Sequence, residues 1–166
     1  MADDSKFVRG AEKLRRRIQT IRDTLGVKAL TTEIGDLLLR RTLDRFDKQV
    51  DPDGRPWTPL AQSTLERRKR AGGRPGMPIL RQSGELRGSI KLIRTAVEAG
   101  TATYVNTGAG VRIGVEGDSD LIGKARAHQK GYKPKGIPIR RFMGVGRLDI
   151  TAVDGLMRRA AKKAMA

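Results

Sequence analysis

All seven prolines of this 166-residue chain fall in three short blocks, within 52–59, 75–78 and 134–138. Proline fixes φ, removes a backbone donor and breaks the interior of a helix or a central strand. Asp51-Pro52-Asp53-Gly54-Arg55-Pro56-Trp57-Thr58-Pro59-Leu60 therefore reads as an ordered turn, and Arg74 to Pro78 as a loop. Gly131, Pro134, Gly136 and Pro138 break the stretch Arg126–Gly146 into short pieces that cannot form one long helix.

Between these interruptions the apolar residues choose the elements. Leu14, Ile18, Ile21 and Leu25 have helical spacing, with Gly26 placed to end the helix. A second helix is expected from about Val27 to Val50, with a stripe of Leu30, Ile34, Leu37, Leu38, Leu39, Leu43, Phe46 and Val50. Ser63-Thr64-Leu65-Glu66 has the pattern of a capping box opening a short helix, which Gly72-Gly73 would close. Strands are expected over Leu92–Glu98, Thr101–Asn106 and Val111–Glu116, joined as an antiparallel meander. Ile137, Ile139 and Phe142 alternate as a further strand, with Pro138 comfortable only at an edge. Asp118-Ser119-Asp120 can cap a helix running to about Gln129, and Thr151–Ala164 reads as a last helix with Val153, Leu156, Met157, Ala160 and Ala164 on its apolar side. The expected fold is α+β. A small antiparallel sheet of about four strands packs with N-terminal helices and a C-terminal helix, in one domain spanning 1–166 with mobile loops near 72–78 and 132–136.

Several chemistries are hard to build from these residues. Cysteine is absent and His128 is the single histidine, which removes thiol catalysis, disulfides and cysteine-ligated zinc. Asp51 and Asp53 lack the further oxygen ligands of a calcium loop, and no metal or other cofactor is expected. Gly108, Gly110 and Gly114 lack the helix and spacing of a dinucleotide loop, and no phosphate-binding loop is present. No nucleophile elbow is visible, and no acid beside His128 would orient it as a base, so an enzyme is not expected. Without a signal pattern or an apolar run of about 18 residues, a soluble protein made in the cytoplasm is expected, with no membrane partner.

Charge is the strongest compositional signal. Thirty-five Lys and Arg against 18 Asp and Glu give +17, and residues 101–166 alone hold 13 basic residues against five acidic ones. A polyanion or an acidic protein surface is the natural neighbour of such a chain. Arg67-Arg68-Lys69-Arg70 puts charge on all sides of a short helix. The stretch Arg126–Gly146 carries six basic residues (Arg126, Lys130, Lys133, Lys135, Arg140 and Arg141) and no acid. Trp57, Arg67, Arg68, Arg70, His128, Gln129, Arg140, Arg141 and Phe142 are the candidates for structural or interface roles.

An ordered set of residues extends from Arg45-Phe46 through Asp51-Pro52-Asp53-Gly54, Pro56-Trp57, Ile79-Leu80, Ser83-Gly84 and Leu86. It continues with His128-Gln129, Gly131, Ile137-Pro138, Arg140 and Phe142-Met143-Gly144. In this order they resemble the phage virion morphogenesis family, the tail completion proteins of Mu-like phages. Ala125-Arg126-Ala127 departs from the pattern, where an aromatic residue would precede the His-Gln pair. The resemblance implies a non-enzymatic structural protein of the virion. It would assemble as a ring, expected to be a hexamer, at the head-proximal end of the tail, completing the tail and helping to join it to the head. Its partners would be copies of itself, other phage tail and neck proteins, and genome DNA passing through the lumen without sequence-specific binding. The rival reading is a non-specific nucleic-acid-binding protein, favoured by the charge and disfavoured by only six aromatic side chains for base stacking.

Overall fold

In the computed structural model, which describes residues 12, 16, 28–72, 76, 78–81, 83–93, 101–106 and 111–164, the longest element is helix α1, Lys28–Lys48. Leu30, Ile34 and Leu38 are buried at one-turn intervals, and Thr42, Arg45 and Phe46 carry the same face to its end. The helix expected over residues 14–25 lies outside the described residues, except for Arg16, which is helical and pairs with Glu12. Helix α1 stops because Gln49 takes a left-handed conformation (φ 55°) and the chain enters the Asp51 turn. There the Asp51 carboxylate accepts the backbone N–H groups of Asp53 (2.9 Å) and Arg55 (2.8 Å), and Trp57 N–H returns to Gln49 O at 2.8 Å.

Helix α2, Gln62–Arg70, follows the turn and buries no residue. Its capping box does not form. Ala61 is the N-cap without a side-chain bond, and Ser63 already lies inside the helix. Arg140 holds the Thr58 and Pro59 carbonyls just upstream, which fixes the approach of the chain and lets the helix begin ahead of Ser63. A single turn α3, Glu85–Gly88, then delivers the chain to strand β1, Ile90–Ile93.

Strands β2 (Thr101–Asn106) and β3 (Arg112–Glu116) complete a three-stranded antiparallel sheet in the order β1-β3-β2. The expected meander is wrong: β1 pairs with β3, matching Ile90 to Val115 and Leu92 to Ile113, so β3 is the central strand. Ile113 and Val115 are fully buried, and an apolar strand of this kind needs a neighbour on each side. The expected fourth strand is also absent from the sheet. Ile137 makes an isolated bridge to Tyr132, and Arg140 N–H bonds His128 O at 2.7 Å instead of another strand. Pro138, having no N–H to donate, favours this local docking over a sheet ladder.

Helix α4, Ser119–Lys130, starts as expected, with the Asp118 carboxylate accepting Leu121 N–H at 2.8 Å. A 3-10 turn at Lys133–Lys135 follows, then an extended segment and helix α5, Arg147–Ala164. Helix α5 begins four residues before the expected Thr151 because Asp149 occupies its first turn and reaches back to Gly146 N–H at 2.8 Å. A carboxylate there satisfies one of the donors a helix start leaves open.

The core lies where α1 packs against α5 and against β1 and β3 of the sheet. Gly35 allows the close approach of α1 to β1, since a Cβ there would stand 2.8 Å from Leu92 Cδ1. At the far end of α1, Phe46 meets Trp57 edge-on (centroids 5.4 Å, 84°) and Phe142 at 5.3 Å. Such ring pairs add about 0.5–1.5 kcal/mol each beyond the area they bury. Beside them, the buried Asp149 carboxylate pairs with Arg41 Nε (2.6 Å) and with Arg45 Nη2. Arg45 Nη1 also donates to the carbonyls of Phe142 and Gly144, both at 3.1 Å, tying α1 to the segment that leads into α5. Burial pushes the Arg45 guanidinium below its ordinary pKa, and Asp149 pulls it the other way.

Candidate functional site

The extended segment 137–146 brings most of the candidate residues to one junction. Gln129, on the last turn of α4, holds this segment as a strand partner would. Its Oε1 accepts the N–H groups of Phe142 and Met143 (both 3.2 Å), and its Nε2 donates to Met143 O at 2.7 Å. Trp57 Nε1 donates to Arg141 O at 2.8 Å, so the indole anchors the same segment from its other side. Phe142 is fully buried beneath. Arg140 is 4% exposed, and its Nε and Nη2 each donate at 2.8 Å, to Thr58 O and Pro59 O. Trp57, Gln129, Arg140, Arg141 and Phe142 thus form one backbone clamp between the Asp51–Pro59 turn and the segment before α5.

His128 lies half-buried at the edge of this clamp, with its carbonyl bonded to Arg140 N–H. Its Nδ1 is buried without a hydrogen-bond partner. Burial, then the charges of Arg140 and Arg68, lower its pKa to about 4, so the imidazole is neutral at neutral pH. Arg68 approaches from α2, bonding Pro78 O at 3.4 Å, and its Nε is likewise buried without a partner. Burial lowers the pKa of both guanidiniums, and each feels another arginine: Arg67 acts on Arg68, and Arg68 on Arg140. Among the described residues, neither Arg68 nor Arg140 makes an ion pair.

Arg67 and Arg70 do not join the junction; they stand exposed on α2 with Lys69. The segment 132–136 folds as the 3-10 turn closed by Tyr132 N–H to Ile137 O at 2.9 Å, with Tyr132, Lys133 and Lys135 exposed. The expected loop at 72–78 is described only at residues 72, 76 and 78. Among the described residues, no group of three His, Asp or Glu side chains could hold a metal ion, and no helix is long and apolar enough to cross a membrane.

Sequence reasoning missed the Arg41–Arg45–Asp149 cluster, although Arg45 belongs to the ordered residue set. Its signal was Gly146 followed three residues later by Asp149, the spacing of a helix start closed by its own first turn. Gly146 is also required sterically, because a Cβ there would lie 1.9 Å from Pro52 O.

Side chains held in this way can position backbone and present a surface, and nothing in the junction pairs a nucleophile with a base. The family model described as the phage virion morphogenesis family matches residues 8–162, nearly the whole chain. Comparison with curated proteins and with solved structures gives no significant match.

Proposed function

Because the chain belongs to the phage virion morphogenesis family, we propose that it works as a ring at the head-proximal end of the tail, completing the tail and helping to join it to the head. The family is a structural one, which makes this a virion-associated protein that serves in building the phage particle. The observation that carries the finer reading is how its ordered residues are used. Arg45, Trp57, Gln129 and Arg140 all use polar groups to hold backbone, and the exposed surface is left to charged, mostly basic, side chains and a few apolar ones. That is the economy of a subunit that works by fitting its neighbours. A hexamer is the expected ring, with genome DNA passing through its lumen. Basic side chains then belong at subunit contacts and on outer surfaces, since a densely cationic wall would hold DNA back.

Electron microscopy of particles made with and without the protein tests this. The expected result is a ring density at the head-proximal tail end that disappears, together with head–tail joining, when the protein is missing. Joined, infectious particles lacking the chain would end the reading.

The exposed Arg67, Lys69 and Arg70 on α2 favour one alternative, non-specific binding of nucleic acid. Under the assembly reading, duplex DNA binds weakly and loses affinity steeply as salt is raised. Tight, sequence-selective binding near physiological salt would favour the alternative.

A further inference from the structure

We propose that the seam between α2 and the end of α4, centred on Arg68, Arg140 and His128, receives a carboxylate from an acidic partner protein, with Leu65, Tyr132 and Ile139 taking the apolar side chains beside it. The inference rests on the assembly reading only in placing that partner within the particle.

Among the described residues, the seam has two guanidiniums and no carboxylate paired with them. Among the described residues, three side-chain nitrogens are buried without a hydrogen-bond partner, and two of them, Arg68 Nε and His128 Nδ1, belong here. Guanidinium charge that is partly desolvated and lacks a counter-charge is costly to keep, and a carboxylate bound at the mouth of the seam would offset it. The pKa of His128 is lowered first by burial and then by the charges of Arg140 and Arg68, and the second part fits this picture.

The apolar residues around the seam point to a protein partner. Four large hydrophobic residues are exposed among those described: Leu65 (45%), Tyr132 (43%), Ile139 (51%) and Leu148 (57%). Three of these are neighbours of the seam residues along the chain or along a helix face. Leu65 lies one turn before Arg68 on the same helix face, Ile139 precedes Arg140, and Tyr132 lies on the hairpin that Ile137 closes. A phosphate backbone is better matched by solvated cations such as Arg67, Lys69 and Arg70 than by a half-desolvated seam edged with aliphatic groups. With 35 basic residues against 18 acidic ones, a second copy has few carboxylates to offer the seam, so charge complementarity here favours a different, acidic protein whatever the ring's own contacts are made of.

Two experiments test the proposal. In the first, acetyl-Glu-Leu-Glu-Leu-Glu-amide is titrated into the full-length protein and followed by NMR. The expected result is shifts concentrated at Leu65, Arg68, His128 and Ile139, with Arg68→Gln weakening binding about tenfold and Arg70→Gln changing it by less than about twofold. Equal losses for both variants, no localised binding, or preferential occupation of the same residues by a short DNA duplex would overturn it. In the second, a photo-crosslinking residue replaces Leu65 in assembled particles. A crosslink to an acidic stretch of another structural protein supports the proposal; a crosslink to a second copy of this chain or to DNA overturns it. Ring density scored in the same particles keeps the two readings separate, because rings without the acidic contact sink only the inference drawn here.

Discussion

Two places in the molecule each bring a pair of arginines out of water, and they solve the problem in opposite ways. In the first, Arg41 and Arg45 share the buried carboxylate of Asp149, which also holds Gly146 N–H at the start of α5. In the second, Arg68 and Arg140 approach His128 with no acid between them among the described residues, and Arg140 spends its donors on neutral carbonyls. A neutral carbonyl satisfies a donor's geometry and leaves its charge uncompensated. The first arrangement is complete within one chain and locks the fold. The second is satisfied for folding and still open electrostatically, which is the condition of a surface waiting for a partner.

If the contrast is real, the largest effect comes from emptying the complete site. Asp149→Asn keeps the shape and removes the charge, stranding Arg45 in the core. Breaking one side of a buried pair costs about 3–5 kcal/mol. The check is the denaturant midpoint at constant m, and a loss under about 1 kcal/mol would mean that the two arginine sites do not differ as described.

Next comes the clamp that the two regions share. Gln129→Ala removes the three hydrogen bonds that its amide makes to the Phe142 and Met143 backbone. The expected loss is about 2–3 kcal/mol, from the cost of abandoning buried polar groups. Hydrogen exchange should show it first at the Phe142 and Met143 amides. Exchange that quickens equally throughout the sheet would show that the clamp is part of global unfolding and has no local role.

Acid should separate the sites through His128. Its pKa is lowered to about 4 in the fold, against an ordinary 6.5. The folded state therefore binds fewer protons than the unfolded chain between these values. The stabilisation is full above about pH 6.5 and is lost as pH falls towards 4. Allowing for solvent screening of a partly exposed ring, the swing is roughly 1–2 kcal/mol. Unfolding measured across that range should be less pH-dependent in His128→Gln than in the parent chain, and parallel curves for the two proteins would refute the assignment.

How much of this could be read from residues alone follows from the range of each interaction. Local rules placed α1 within two residues at its C-terminal end, found the Asp118 cap, and set the alternation of Val111, Ile113 and Val115. The order of strands was beyond such rules, because β1 chooses β3 over β2 through contacts 19 to 25 residues apart. The alternation expected of Ile137, Ile139 and Phe142 does not hold, since Ile139 is exposed and Phe142 buried, and the segment is gripped by Gln129 and Trp57 and is not a sheet strand. Trp57, Gln129 and Phe142, expected as structural or interface candidates, meet in the clamp before α5. Nothing in the sequence could show that Arg140 is buried while Arg67 and Arg70 are in water, since the three have the same chemistry and differ only in what packs around them.

The smallest expected effect is also the most discriminating. Arg68 reaches the seam with one long bond to Pro78 O, on a helix that buries no residue, so the fold gains little from it. Replacing it by Gln removes a charge that Arg140 and His128 both feel as repulsive. The two effects oppose each other, and the stability of Arg68→Gln should stay within about 0.5 kcal/mol of the parent, with a change in either direction allowed. The informative readout is the His128 titration: with one of its two arginine neighbours neutralised, its pKa should rise from about 4 towards the ordinary value, by an amount limited because burial is the first cause of the shift. An NMR titration of the single histidine resolves this directly. A large loss of stability would make Arg68 another fold-locking arginine like Arg45, and the contrast between the two sites would collapse. An unmoved His128 in a stable variant would place Arg68 too far from the seam to help receive a carboxylate.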